Sequence, residues 1–466
     1  MIYRHERHPA RAVRLAYCQN VHASERVSEV EAGFERVTAP LRDRLAPHGA
    51  FGVGLYLPAA TARELASSSG ACDAFARRLA RERFDPFTWN AFPYERFHVD
   101  GLKSDVFRPA WDEPARLDFT RDVARVAAAC ARACEAHTRA TPDSAFGSTN
   151  PHRRPPSDAT AGNDTSDRAV RATARSDAND SASGRHVSIS THTGAFGSWV
   201  RGLDDVDAYA AAMARAVREL ARLEDETGVR IVLSLEPEPR ANAGNARELA
   251  TFLARARDVA TRGTTAVADA LVARHLGYCF DTCHAAIEGD DDPLATLAGV
   301  VLGKVQYSNA LVVRDPARHP ESVAAMLSLA EPRYLHQVRG HGAGVELSVA
   351  DLPELRAELS GARAASWMSC REWRCHFHVP VDLERAEGGL TTTRAHADRA
   401  LGALLDDPAR WTTAELHVEI ETYTWDILSG ALRGGGDLVD GLEREYRHVQ
   451  GLLERAGWRA DAPKSR

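Results

Sequence analysis

Three apolar, β-branched runs in the second half of the chain end in acids or histidines. They read Leu233-Ser-Leu-Glu-Pro-Glu-Pro239, Tyr278-Cys-Phe-Asp-Thr-Cys-His284 and Leu416-His-Val-Glu-Ile-Glu-Thr-Tyr-Thr424. A carboxylate at the end of a buried strand is costly unless something positive meets it. Several such ends gathered at one point supply the oxygen and imidazole ligands that a divalent cation takes. The fold must therefore bring separate strand ends to a common rim.

Apolar runs of strand length alternate with longer helical patterns. Strands are predicted at Leu15–Val21, Phe51–Leu57, Phe87–Phe92, Val187–Thr191, Arg230–Leu235, Leu276–Phe280, Leu302–Tyr307, Cys375–Val379 and Leu416–Tyr423. Asp204–Thr227 carries Ala, Met, Val and Leu at three- and four-residue spacing, an amphipathic helix. Asn245 is a good N-cap for Ala246–Ala260, and Asp291 with Pro293 opens another helix. Strands alternating with helices give an α/β fold with a mainly parallel sheet. Eight or nine short strands favour closure into a (β/α)₈ TIM barrel, and no G-x-G-x-x-G follows the first strand to support a dinucleotide fold. The barrel is expected in two stretches, 1–137 and 186–458. Between them, 138–185 is rich in Ser, Thr, Asp, Asn and Arg, a composition that cannot offset chain entropy and predicts a disordered insertion between the third helix and fourth strand. Residues 310–344 are expected as a lid-like loop over the barrel mouth, and 459–466 as a loose tail.

Composition excludes several functions. A net charge of −7 gives a nucleic-acid partner no electrostatic support. No window approaches 18 uninterrupted apolar residues, so no direct membrane anchor is expected, and the first residues hold no apolar core of signal-peptide length. The expected location is the cytoplasm. The eight cysteines form no C-x-x-C pair and are expected as buried, reduced thiols.

Barrel active sites lie at the carboxyl ends of the strands. Glu236 falls there, with Glu238 facing away or supporting it, and Asp281 and His284 end the next run. On the last strand a period of two puts Glu415, His417, Glu419 and Glu421 on one face, opposite Leu416, Val418 and Ile420. The apolar side of a barrel strand faces the helices, so the acids point inward. Glu421 is the preferred ligand and Glu419 the reserve. His376 and His378 share a strand face and can reach a metal or a substrate oxygen. Gln306, Asn20 and Asn90 add neutral polar groups, with Tyr94, His98 and His336 nearby in the pattern. Such groups suit a hydroxylated organic ligand.

These residues carry a resemblance. Glu-Pro after the fifth strand, Asp-Thr-x-His after the sixth and Glu on the last resemble the xylose isomerase-like superfamily of TIM barrels. Tyr17-Cys-Gln-Asn-Val-His22, Phe87-Thr-Trp-Asn-Ala-Phe-Pro-Tyr94, Phe280-Asp-Thr-Cys-His284, Cys375-His-Phe-His-Val-Pro380 and Glu421-Thr-Tyr-Thr-Trp425 resemble the EboE family. That resemblance implies a bacterial metabolite-traffic protein that handles a small-molecule metabolite, often prenylated, beside other proteins of the same transport pathway. It implies a divalent metal ion (Mn, Zn or Mg) on Glu236, Asp281 and Glu421, with His284 binding substrate or metal. Epimerases of the superfamily carry a histidine ligand where this chain has Gln306. Either His376 or His378 replaces that ligand, or the metal is held less strongly. The expected ligand set is therefore Glu236, Asp281, His376 and Glu421. Glu236 and Glu421 are the expected catalytic bases of an isomerase or epimerase acting on a small polyhydroxylated or secondary-metabolite precursor, and His284, Gln306, His378, Asn20 and Asn90 the expected substrate contacts. A non-catalytic carrier is the alternative, and DNA repair is disfavoured by the acidic balance.

Overall fold

The computed structural model describes residues 1–140, 185–262, 267–290, 292–342, 344–428 and 435–461. Most of the predicted insertion at 138–185, together with Asp291 and the end of the tail, lies outside the described residues.

Eight parallel strands close into a barrel. They are Ala12–Cys18, Phe51–Tyr56, Phe84–Asn90, Val187–His192, Ile231–Glu236, Leu276–Asp281, Val301–Tyr307 and Glu415–Ile420. Each pairs in parallel with the next, and the eighth pairs with both the seventh and the first, so the eight-stranded barrel is closed. Nearly every barrel-strand residue is buried, which explains why these strands read as continuous apolar runs rather than alternating ones. Helices follow the strands around the outside, among them Leu203–Thr227, Ala246–Thr261 and Leu438–Arg455. Asn245 caps the second of these, accepting from the Glu248 amide at 3.0 Å.

The candidate strand at Cys375–Val379 belongs elsewhere. It is the end of Glu372–Val379, the central strand of a separate antiparallel sheet ordered Leu347–Val349, Val338–His341, Glu372–Val379, Asn309–Arg314 and Thr391–Thr392. This sheet has its own core of Leu311, Val313, Val338, Trp367 and Trp373. It is inserted after the seventh barrel strand, so the stretch predicted as a lid-like loop is in part regular structure. Strand-length apolar runs look alike whether they join a barrel or a small antiparallel sheet, and here the antiparallel pairing of Glu372–Val379 with Asn309–Arg314 and Val338–His341 places it in the second.

The barrel interior is polar in layers, as the parity of the last strand predicts. At the bottom, Glu415 meets Arg14 at 3.2 Å, and Arg14 also holds Asp85 at 2.6 Å. His417 Nδ1 lies 3.0 Å from the Ser188 hydroxyl. Above them, Glu419 pairs with Lys304, both fully buried. Gly54 makes room for that pair: a Cβ there would stand 1.7 Å from Glu419 Oε1. The chain's own cations thus serve the first two acids of the strand. Glu421, at the rim, meets none of them.

Candidate metal centre

Glu236 ends the fifth strand, Asp281 ends the sixth, and Glu421 follows the eighth. One carboxylate oxygen from each lies within 4.8 Å of the other two, and all three residues are buried. Asn20 and Asn90, beyond and at the ends of the first and third strands, donate to Glu421 Oε1 at 2.7 and 3.0 Å. Asp281 Oδ1 caps the helix Thr282–Glu288, accepting from the His284 amide and the Ser308 hydroxyl at 2.9 Å each. Glu236 Oε2 and Asp281 Oδ2 are buried with no hydrogen-bond partner among the described residues. Burial, then the neighbouring carboxylates, raises the proton affinity of Glu236 and Glu421 well above the usual range. Three buried acids this close need a cation or protons.

A second group stands beside the first. His284 Nδ1 lies 2.9 Å from the Pro237 carbonyl, and His378 Nδ1 lies 3.1 Å from the Glu421 carbonyl. A carbonyl only accepts, so both Nδ1 atoms carry the hydrogen. His376 Nδ1 lies 2.6 Å from Gln337 Oε1, whose amide nitrogen donates to Glu238 Oε1 (2.8 Å) and the Pro239 carbonyl (3.1 Å). All three rings therefore turn a lone pair on Nε2 inward, 3.1 Å apart for His284 and His376 and 3.3 Å for His284 and His378. Lone pairs at that distance repel unless a cation or a shared proton lies among them. Burial, with the neighbouring rings, pushes His376 well below the ordinary histidine value, and burial takes His378 down to about 4. Neutral imidazoles with a pinned Nδ1–H are the form that binds metals. Asp281 joins the two groups, since it also lies within 4.8 Å of ligand atoms of His284 and His378.

The expected residues fall into four classes. Glu236, Asp281 and Glu421 converge. His376 does not join those three carboxylates; it belongs to the neighbouring group with His284 and Glu238. His284, His378, Asn20 and Asn90 line the same cavity, although both asparagines spend an amide hydrogen on Glu421. Gln306 does not line it. Its Oε1 accepts from the Cys279 thiol at 2.8 Å, one layer below the rim, and the side chain is fully buried. Glu238, expected to face away or back Glu236, instead lines the cavity, and burial raises it to about 7. Tyr423 and Gln337 were not singled out as site residues; the Tyr423 hydroxyl lies 3.3 Å from His376 Nε2. A Glu-Pro-Glu-Pro turn carries a signal for a rigid second acid, whereas Gln337 carries none.

His378 takes a positive φ of 41° where the register of Glu372–Val379 against Asn309–Arg314 shifts. A non-glycine residue in that region is strained, and such strain persists where the surroundings hold it. Here it turns the imidazole down toward His284.

No curated protein matches the chain. A family model described as a xylose isomerase-like TIM barrel matches residues 105–391, more than half of the 466. With eight parallel strands closed around acids at their carboxyl ends, the chain belongs to the xylose isomerase-like TIM barrel family.

Proposed function

We propose that the chain is a metal-dependent isomerase- or epimerase-type enzyme acting on a small secondary-metabolite precursor. The observation that carries this reading is the convergence of Glu236, Asp281 and Glu421 within 4.8 Å, with no lysine or arginine in ion-pair contact with them among the described residues. An all-oxygen set suits Mg or Mn, and the adjoining imidazoles suit Zn. A divalent ion held there would polarise a carbonyl oxygen and its neighbouring hydroxyl.

The chain's own residues then move a proton. Asn20 and Asn90 occupy Glu421 Oε1, which leaves Oε2 to act. Glu236 Oε2 is likewise unpartnered among the described residues. The free oxygen of each acid is the group placed to take and return a proton beside the bound carbonyl. His284 and His378 orient a substrate oxygen through Nε2.

The short phrases at the strand ends support grouping the chain with the EboE-like metabolite-traffic proteins, working in the bacterial cytoplasm beside other proteins of one pathway. The eight free cysteines fit a reducing compartment. One observation favours a carrier without turnover: Gln306, which stands where the resemblance leads one to expect a histidine ligand, is engaged with the Cys279 thiol and does not line the cavity.

Proton exchange separates the two readings. The protein with added Mn²⁺ is incubated in D₂O with a panel of α-hydroxyketones and followed by NMR. Deuterium entering beside the carbonyl, and lost in Glu421→Gln, supports the enzyme. Binding without exchange across the panel overturns it in favour of the carrier.

A further inference from the structure

Polarity in the cavity is divided by height. At the polar end, Glu236 Oε2 and Asn20 Oδ1 are buried without hydrogen-bond partners among the described residues, Asp281 Oδ2 lies unpartnered behind them, and Glu238, His284, His376 and His378 complete the polar lining. Higher up, two small apolar clusters stand apart from the barrel core. One contains Phe92, Phe107, Phe196 and Leu335; the other contains Tyr56, Phe97, Tyr334 and Tyr423. Val106 packs against both and joins them. Phe92, Leu335, Phe97, Tyr334 and Tyr423 from these clusters line the cavity with Val106.

The polar atoms carried by this wall are already engaged. His98 Nε2 lies 2.6 Å from the Asn20 carbonyl and so carries the hydrogen, leaving Nδ1 to accept from the Tyr334 hydroxyl at 2.5 Å. The Tyr423 hydroxyl lies 3.3 Å from the His376 lone pair. Lys103 Nζ donates to the Glu331 and Tyr334 carbonyls at 2.6 and 2.8 Å and pairs with Asp351 at 2.7 Å. Arg333 is held by Asp100 at 3.0 Å and by Asp426. A polyol laid against this wall would bury hydroxyls without partners, and unpaired buried hydroxyls are expensive. An alkyl or aromatic body loses nothing there and gains burial.

We propose that the ligand of this cavity carries one chelating head, an α-hydroxycarbonyl or similar pair of adjacent oxygens, on an apolar body such as an aromatic ring or branched alkyl chain. A polyhydroxylated sugar is the wrong shape of polarity for it. This rests on the metal-centre reading for the head and on the two apolar clusters for the body.

The test uses the full chain with Mn²⁺, whose binding is read first by EPR. Hydroxyacetone, 1-hydroxy-2-butanone, 1-hydroxy-2-pentanone, 2-hydroxyacetophenone and D-fructose are then titrated calorimetrically. Affinity is expected to rise about fourfold for each added methylene. The phenyl ketone should bind more tightly than fructose, and Leu335→Asn, which places an amide in the wall, should weaken it about tenfold. A flat series, or fructose binding as tightly as the phenyl ketone, overturns the proposal while leaving the metal centre intact. If Mn²⁺ does not bind, the metal reading fails, and a 1-propanol to 1-hexanol series decides the wall: rising affinity supports it and a flat series overturns it.

Discussion

Lys304 and Glu419 form an ion pair with neither side chain exposed, inside a barrel whose rim carries three further acids. Burial works against the lysine charge, yet Glu419 beside it holds the ammonium protonated above its ordinary range. Lys304→Met keeps the length of the side chain and removes only the charge and its hydrogen bonds, including the one to the Trp89 carbonyl at 3.3 Å. Little cavity is created, so the cost is electrostatic. It leaves Glu419 buried without its cation, and breaking such a pair costs about 3–5 kcal/mol. Removing both charges in Lys304→Met/Glu419→Gln leaves neutral groups of similar volume, and the loss should shrink to about 1–2 kcal/mol. Urea unfolding followed by tryptophan fluorescence measures both, and the two single variants with the double form a thermodynamic cycle. Lys304→Met costing less than about 1 kcal/mol would refute the reasoning, as would a double variant no more stable than the sum of the singles.

Other perturbations test neighbouring parts of the account. Gly54→Ala puts a Cβ 1.7 Å from Glu419 Oε1 and should cost about 1–3 kcal/mol, whereas Gly402→Ala, in the helix Arg394–Asp406 with open space around it, should gain about 0.5–1 kcal/mol; thermal melts read both. Burial opposes the Glu224 charge, but its bonds to Arg274 and His275 take the carboxyl down to about 2. A lowered acid stabilises the fold above its unfolded value and loses that contribution as pH falls toward 2. After discounting for partial solvent screening, Glu224→Gln should cost about 1–2 kcal/mol at pH 7. That difference should vanish near pH 2 in acid-unfolding curves. Asn20→Ala removes one of the two amides that orient Glu421 and should lower Mn²⁺ affinity by about 10–100-fold in chelator competition; unchanged affinity would place Glu421 outside the ion's shell.

The barrel was legible because parallel strands buried on both faces leave continuous β-branched runs that no surface strand has. The inward set Glu415, His417, Glu419 and Glu421 followed from parity alone, since a one-residue shift would turn all four outward. Depth was not legible. Lys304 and Gln306 lie on one strand at a spacing of two, yet only the level of each against Glu419 and Cys279 shows that neither reaches the cavity. The meeting of His376 and His378 with His284 was equally hidden, because it depends on a register shift and a left-handed residue within a sheet inserted after the seventh strand. Glu238 reads as facing away from Glu236 or supporting it until Gln337, 99 residues away, is seen to fix it.

Anomalous diffraction from crystals grown with Mn²⁺ tests the central claim most directly. A peak is predicted among Glu236, Asp281 and Glu421, with a second among His284, His376 and His378 when Zn²⁺ replaces it, and the first should vanish in Asp281→Asn. Density for neither ion at saturating metal, with the carboxylates instead sharing protons, would contradict a metal centre at the mouth of this barrel.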